Sequence, residues 1–279
     1  FLQIDAADQL ALNIVRIEAI KRGDWSSALY TLPRPAGSRL DDIIEAIAYT
    51  SILTGDGQID EALTKIEDGL DAIGFSHLGN YARGLVYTTQ AEYENAADAF
   101  AAFINQDPFQ YPRMAQIAAE ALERSGDTDN AKLLYEALLT TGARVAGEAG
   151  LRRIAQGEAM PDALAIEPLD IYTELLFVIA RLLAEQDSPQ LAYRFAQEIG
   201  YLLTPQSSLY PGYTEVIASS LLELERYEEA ETFYAALEQV EEFKLAALLG
   251  QVQALSDQQR YADALSVLDE AEDLLGGAP

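Results

Sequence analysis

Residues 84–108 read GLVYTTQAEYENAADAFAAFINQDP, and the spacing inside this stretch decides the fold. Ala96 is its pivot. Tyr93 stands three residues before the alanine and Phe100 four after it. An alanine and a large apolar residue four apart share one helix face, one turn from each other. The arrangement recurs. Ala28, Ala62, Ala96, Ala131, Ala230 and Ala264 follow one another at spacings of 34, 34, 35, 99 and 34. The gap of 99 is close to three periods, and it holds looser matches at Ala163 and Ala192. A fixed period of this length is the mark of a stacked repeat.

The neighbours of each alanine give the period a cause. At the fourth position after it come Leu32, Ile66, Phe100, Tyr135, Tyr234 and Leu268. Three residues before it stand Trp25, Ile59, Tyr93, Tyr227 and Tyr261, apolar plugs at the start of the same helix. Gly23, Gly57 and Gly126 lie five residues ahead of their alanines, where a chain reversal calls for a positive φ. Asp24 and Asp127 follow glycine directly, placed to accept hydrogen bonds from the free amides of the next helix. The alanine is small because two helices cross closely at that point.

An apolar-periodic segment precedes each turn, so each unit reads helix A, turn, helix B. The A helices are predicted at Gln9–Arg22, Asp42–Thr54, Leu78–Gln90, Arg113–Ser125, Arg144–Gly157, Leu169–Glu185, Gly212–Glu225 and Glu242–Ser256. No segment alternates strictly between apolar and polar, so strand content is expected near zero.

Gly84, Tyr87, Tyr93, Ala96, Phe100, Phe103 and Pro108 resemble the tetratricopeptide repeat family. The resemblance implies an all-α, right-handed superhelix of about eight helix-turn-helix repeats over residues 1–279, its concave face lined by A helices. Each unit alone leaves its apolar face uncovered, so stability comes from stacking on neighbours. The stretch 157–170 departs from the pattern. Pro161 and Pro168 leave room for only a short B helix, which predicts a kink dividing the solenoid into 1–157 and 158–279. Leu265, Val267, Leu268 and Leu274 leave the last helix incompletely capped, which suits self-association or a larger parent chain. Phe1, Leu2 and Ile4 are expected to dock on the first repeat.

Composition narrows the partners. The net charge is −28, from 46 acidic and 18 basic residues, and this disfavours nucleic acid and anionic membranes as partners. A basic or apolar protein or peptide is favoured. No apolar run approaches the roughly 18 residues that span a bilayer. Cysteine is absent, which removes disulfides and thiolate sites and leans toward a bacterial cell envelope or periplasm over the cytoplasm. With no initial Met and no leader pattern, the sequence reads as a processed form or an excised segment.

Chemistry finds little support. His77 is the single histidine and reads as a cap or loop residue, since a metal site or a triad needs partners. Residues 56–60 look briefly like a calcium loop, but the first and twelfth positions fall on Ile52 and Leu63. Arg152 and Arg153 lie four and five residues after Glu148, and the pair is read as a surface ion pair. No catalytic residues, metal ligands or cofactor are expected.

On the repeat register the concave, peptide-binding face holds Asn13, Ile17, Ile47, Ser51, Tyr81, Leu85 and Thr88, then Gln116 and Glu120. Phe177, Arg181, Glu215 and Ser219 follow further along. Apolar members of this set serve either a groove or inter-repeat packing. The family's basic clamp for acidic tails would fall on Asn13, Ile17, Ile47, Leu78 and Ala82, of which only the asparagine fits. The leading reading is a non-enzymatic scaffold that binds a protein or peptide along its groove. A self-assembling scaffold, a carboxylate-dependent all-α hydrolase and the sensor part of a larger regulator remain open beside it.

Overall fold

The computed structural model describes residues 9–31, 39–104, 112–141, 143–160, 166–203 and 210–276. Phe1, Leu2, Ile4, Leu32, Pro108, Pro161 and Ala163 lie outside them. Among the described residues every regular element is helical. The A helices are α1 (Gln9–Lys21), α3 (Arg39–Gly55), α5 (Ser76–Thr89), α7 (Pro112–Ser125), α9 (Arg144–Gln156), α10 (Pro168–Glu185), α12 (Tyr210–Glu223) and α14 (Lys244–Asp257). Each lies within about three residues of its expected start and end. The B helices are α2 (Trp25–Tyr30), α4 (Ile59–Ile66, continued by a π turn), α6 (Tyr93–Ile104), α8 (Thr128–Leu138), α11 (Pro189–Leu202), α13 (Tyr227–Leu237) and α15 (Tyr261–Gly276). Between Gly157 and Pro168 the described residues form no B helix.

The chain forms two compact units, 1–175 and 176–279, whose boundary falls inside α10. Each is a tetratricopeptide-like stack of helical hairpins. In the first unit α1 packs on α2, α3 on α4, α5 on α6 and α7 on α8, and α8 then packs on α9. In the second, α11 to α15 each pack on the next. A helices also touch the next A helix, α3 on α5, α5 on α7 and α7 on α9 in the first unit, and α12 on α14 in the second. They therefore line one face of each stack.

One turn closes all eight A helices. Two or three residues past each A helix an amide reaches back to a carbonyl five residues earlier: Asp24 to Ala19, Gln58 to Leu53, Glu92 to Tyr87, Asp127 to Leu122, Glu158 to Arg153, Ser188 to Leu183, Arg226 to Leu221 and Arg260 to Leu255. These bonds measure 2.8–3.0 Å and are the helix-ending motif that needs a left-handed residue just before the donor. Gly23, Gly57, Gly126 and Gly157 hold that position, and so do Ala91, Asp187, Glu225 and Gln259 at φ 54–62°. The sequence marks only the glycines. Hydrogen bonding forces the same backbone on the other four. Asp24 and Asp127 cap the following helices as expected, accepting from the Ser27 and Asn130 amides at 3.2 and 3.3 Å.

The small pivots sit where the helices cross. Ala28, Ala62, Ala96, Ala131, Ala192 and Ala230 are fully buried, and Ala264 nearly so. Their large partners Ile66, Phe100, Tyr135 and Tyr234 are buried too. Each of the three aromatic rings lies on an A-helix glycine. A Cβ built on Gly84 would come within 2.3 Å of Phe100, on Gly150 within 2.4 Å of Tyr135, and on Gly250 within 2.3 Å of Tyr234. These glycines give way to a ring, a close approach that no side chain permits. The residues three before the pivot plug less than expected: Trp25, Ile59, Tyr93 and Tyr227 are half-buried and Tyr261 is exposed.

Candidate functional site

The face lined by A helices differs between the two units. In the first, Ile47, Tyr81 and Leu85 are fully buried, and Ser51 and Thr88 are buried with them. Ile17, Gln116 and Glu120 are half-buried, with the Gln116 amide donating to Glu120 at 2.9 Å. Asn13 falls in α1, and its side chain lies outside the described residues. Two roles are open to the apolar members, and Ile47, Tyr81 and Leu85 present no exposed surface to a groove here. Ser51 donates to the Pro168 carbonyl at 2.6 Å, and Arg113 meets Glu174 at 3.0 Å. The first half of α10 therefore lies against α3, α5 and α7 through Ser51, Tyr81 and Arg113. Among the described residues no B helix follows α9, and the start of α10 meets the A helices of the first unit.

This internal contact is polar, with Arg113 half-buried. Glu174 is buried, and Arg113 is its ion-pair partner. Burial raises the Glu174 carboxyl, with Asp170 adding to the shift and Arg113 opposing it. Asp170 and Glu120 are also raised, again by burial first. Burial works against the Arg113 charge, but the Glu174 carboxylate outweighs it and holds the guanidinium above its ordinary value. Burial drives the Tyr81 hydroxyl well above the usual phenol range, helped by the charge of Glu174. Tyr81 Oη and Glu174 Oε2 are close enough to shift one another, yet neither completes a hydrogen bond. Sequence reasoning missed Arg113, Asp170 and Glu174. A signal was present in α10, whose residues 171–180 are apolar around nearly the whole helix and are all buried. That pattern marks a helix enclosed on every side.

In the second unit the corresponding face is open. A cleft of about 230 Å³ runs between the second half of α10 and α12. Arg181, Ala184 and Glu185 line it from α10, Pro189 lies at the start of α11, and Glu215, Val216, Ser219, Ser220 and Glu223 come from α12. Glu215, Ser219 and Glu223 are four residues apart, which stacks them along one helix face. Arg181, Glu215 and Ser219 thus stand where the repeat register puts them. Phe177 does not; it is buried with its ring 2.9 Å from the Cβ position of Gly212. Glu185, Ser220 and Glu223 were not anticipated.

Arg181 is held loosely. Its guanidinium lies 3.4 Å from Glu215 and 3.8 Å from Glu185, longer than the roughly 2.7–2.9 Å of a strong charge-assisted bond. Elsewhere Arg153 grips Glu123 with two bonds of 2.8 and 2.6 Å. That pairing also corrects the ion pair expected for Arg152 and Arg153: Glu148 is bound by Arg144 at 2.8 Å, and Arg153 turns to α7 instead. Among the described residues no ion pair reaches Glu223. Tyr234 is pushed up to about 12, by burial first and then by the charges of Glu215 and Glu223. Three glutamates and one arginine give the cleft lining a net negative charge.

Other candidates read from the sequence carry less. His77 lies in the first turn of α5 with its ring 4.4 Å from Phe103. No group of three or more His, Asp or Glu among the described residues could hold a metal ion, and no described helix is long and apolar enough to cross a membrane. On α15, Tyr261, Leu265 and Leu275 are exposed.

No family model and no curated protein matches the chain. Among solved structures it is similar to the TPR2AB domain of yeast Sti1 in its complex with pHSP90, at a TM-score of 0.33 and 17% identity. The match covers 82% of this chain and 89% of that one. The fold assignment rests on the hairpins and their turns.

Proposed function

We propose that this chain is a non-enzymatic scaffold that binds a basic segment of another protein, and that the cleft between α10 and α12 is where the segment engages. The observation that carries this reading is the cleft itself: an open trough between successive A helices, lined by three carboxylates and one arginine. A net charge of −28 favours the same class of partner through long-range attraction. The A-helix residues of the first unit named in the sequence analysis are not part of the proposed site, because Ile47, Ser51, Tyr81, Leu85 and Thr88 are buried.

The test is fluorescence anisotropy with three labelled twelve-residue peptides of equal length, one rich in arginine, one neutral and one rich in glutamate. The arginine peptide is expected to bind saturably, and to weaken as salt rises from about 0.05 to 0.3 M, because exposed charges are then screened. Failure of the arginine peptide to saturate, or equal binding of the acidic peptide, overturns the reading.

A further inference from the structure

We infer that the α10–α12 cleft is a receptor for one guanidinium group, which enters between Glu215 and Glu223 and takes the place now held by Arg181. The inference rests on the peptide-binding reading and deepens it by naming the chemistry the cleft selects.

Three observations support it. The first is stoichiometry: three carboxylates face one guanidinium, so the cleft carries unneutralised negative charge after Arg181 is counted. The second is the grip on Arg181. Contacts of 3.4 and 3.8 Å leave its forked donors without the short parallel bonds this side chain makes elsewhere in the chain, as Arg226 does with Glu229 at 2.7 and 2.6 Å. A resident guanidinium that is held loosely marks a place where such a group fits and from which it can leave.

The third is Ser220. It lines the cleft, is 1% exposed, and its Oγ has no hydrogen-bond partner. A helical serine ordinarily turns its hydroxyl back to a carbonyl three or four residues earlier, and neighbouring Ser219 does so with Val216 at 3.2 Å. A buried hydroxyl left unpaired is unfavourable until something fills its valence. As an acceptor it suits an N–H donor arriving between the two glutamates. Size points the same way. At about 230 Å³ the cleft is smaller than the roughly 300–1,000 Å³ of sites that enclose a whole small molecule. It takes one side chain.

Arginine is favoured over lysine because its planar fork spans two carboxylates at once, whereas an ammonium acts as a point charge. The bound state conserves the charge count. One guanidinium enters, and Arg181, on a flexible stem and half-buried, swings toward Glu185 and solvent.

The experiment uses the labelled arginine peptide, a version with every arginine replaced by citrulline, and a version with lysine. Binding is measured to the parent protein, to Arg181→Ala, and to Glu215→Gln with Glu223→Gln. Citrulline keeps the shape and removes the charge, so affinity is expected to fall at least tenfold; lysine is expected to bind several-fold more weakly than arginine. The double glutamine variant should lose at least tenfold for the arginine peptide. Arg181→Ala should gain about threefold or more, because the internal competitor is gone. A loss of affinity in Arg181→Ala would mean that Arg181 itself holds the partner, and would overturn the inference. Unchanged binding in the double variant would also overturn it, and would leave the basic-peptide reading standing on another surface. If no variant binds any of these peptides, both fall together. Far-ultraviolet circular dichroism of each variant guards against misfolding, and the citrulline comparison needs no variant at all.

Discussion

The same A-helix face meets two fates in this chain. In the first unit it is covered by the start of α10, through Ser51 to Pro168 and the pairing of half-buried Arg113 with buried Glu174. In the second it remains a cleft whose arginine is loosely held and partly exposed. Both faces are built from the same hairpin and the same turn. The difference shows that the repeat creates a row of A-helix side chains, while what covers that row is set by contacts outside the repeat. After α9 the described residues carry no B helix, and the start of α10 meets the A helices of the first unit. It also separates two kinds of ion pair. A pair with a buried member is dangerous to break, since the survivor is left charged and unpaired, whereas a half-exposed pair is replaced by water at little cost.

The largest expected effect tests the covered face. Glu174→Ala leaves Arg113 without its partner and should destabilise the protein by about 3–5 kcal/mol, read from the urea midpoint. If it melted like the parent, α10 would not be seated on α7 as described. The seams come next. Gly150→Ala and Gly250→Ala push a methyl into Tyr135 and Tyr234 respectively, and each should lose about 1–3 kcal/mol. Equal losses would show that the two units stack alike, leaving the inner face as their distinguishing feature.

Protonation sharpens the same contrast. Glu174, Asp170 and Glu120 are raised by burial, with Arg113 and Tyr81 the other titratable groups beside Glu174. A carboxyl raised in the folded state binds its proton more tightly there. Its stabilisation is complete below the unfolded value near 4.5 and is lost as pH rises through the folded value. Tm should therefore rise when pH is lowered from about 7 toward 5, and Glu174→Gln should flatten that rise. A falling Tm in the parent would contradict it.

Smaller effects lie at the turns and the open cleft. Glu225→Gly and Gln259→Gly relieve a left-handed backbone in a residue with a Cβ and should stabilise by about 0.5–1 kcal/mol in thermal melts. Gly57→Ala, at the same turn position in the first unit, should do the opposite. Arg181→Ala should change stability by less than about 1 kcal/mol. A loss as large as that of Glu174→Ala would erase the distinction between the two faces.

Much of this was legible beforehand, and the reason is local. The pivots Ala28 to Ala264, the glycine turns and the eight A helices depend on contacts within one hairpin or between adjacent ones, so they recur at a fixed period and can be read from spacing. Arg181, Glu215 and Ser219 follow from the same register. The four non-glycine turn residues were not legible, because nothing in Ala91, Asp187, Glu225 or Gln259 advertises a positive φ that neighbouring hydrogen bonds impose.

Sequence alone determined that this chain is a stack of helical hairpins with a strongly acidic surface, since side-chain size, helical period and charge act at short range or as a sum. Only the tertiary structure decided which concave face is filled and which is open. Arg113 meets Glu174 across 61 residues, and Ser51 meets Pro168 across 117. Such pairings belong to no period; they arise when α10 exchanges water for contact with three helices at once.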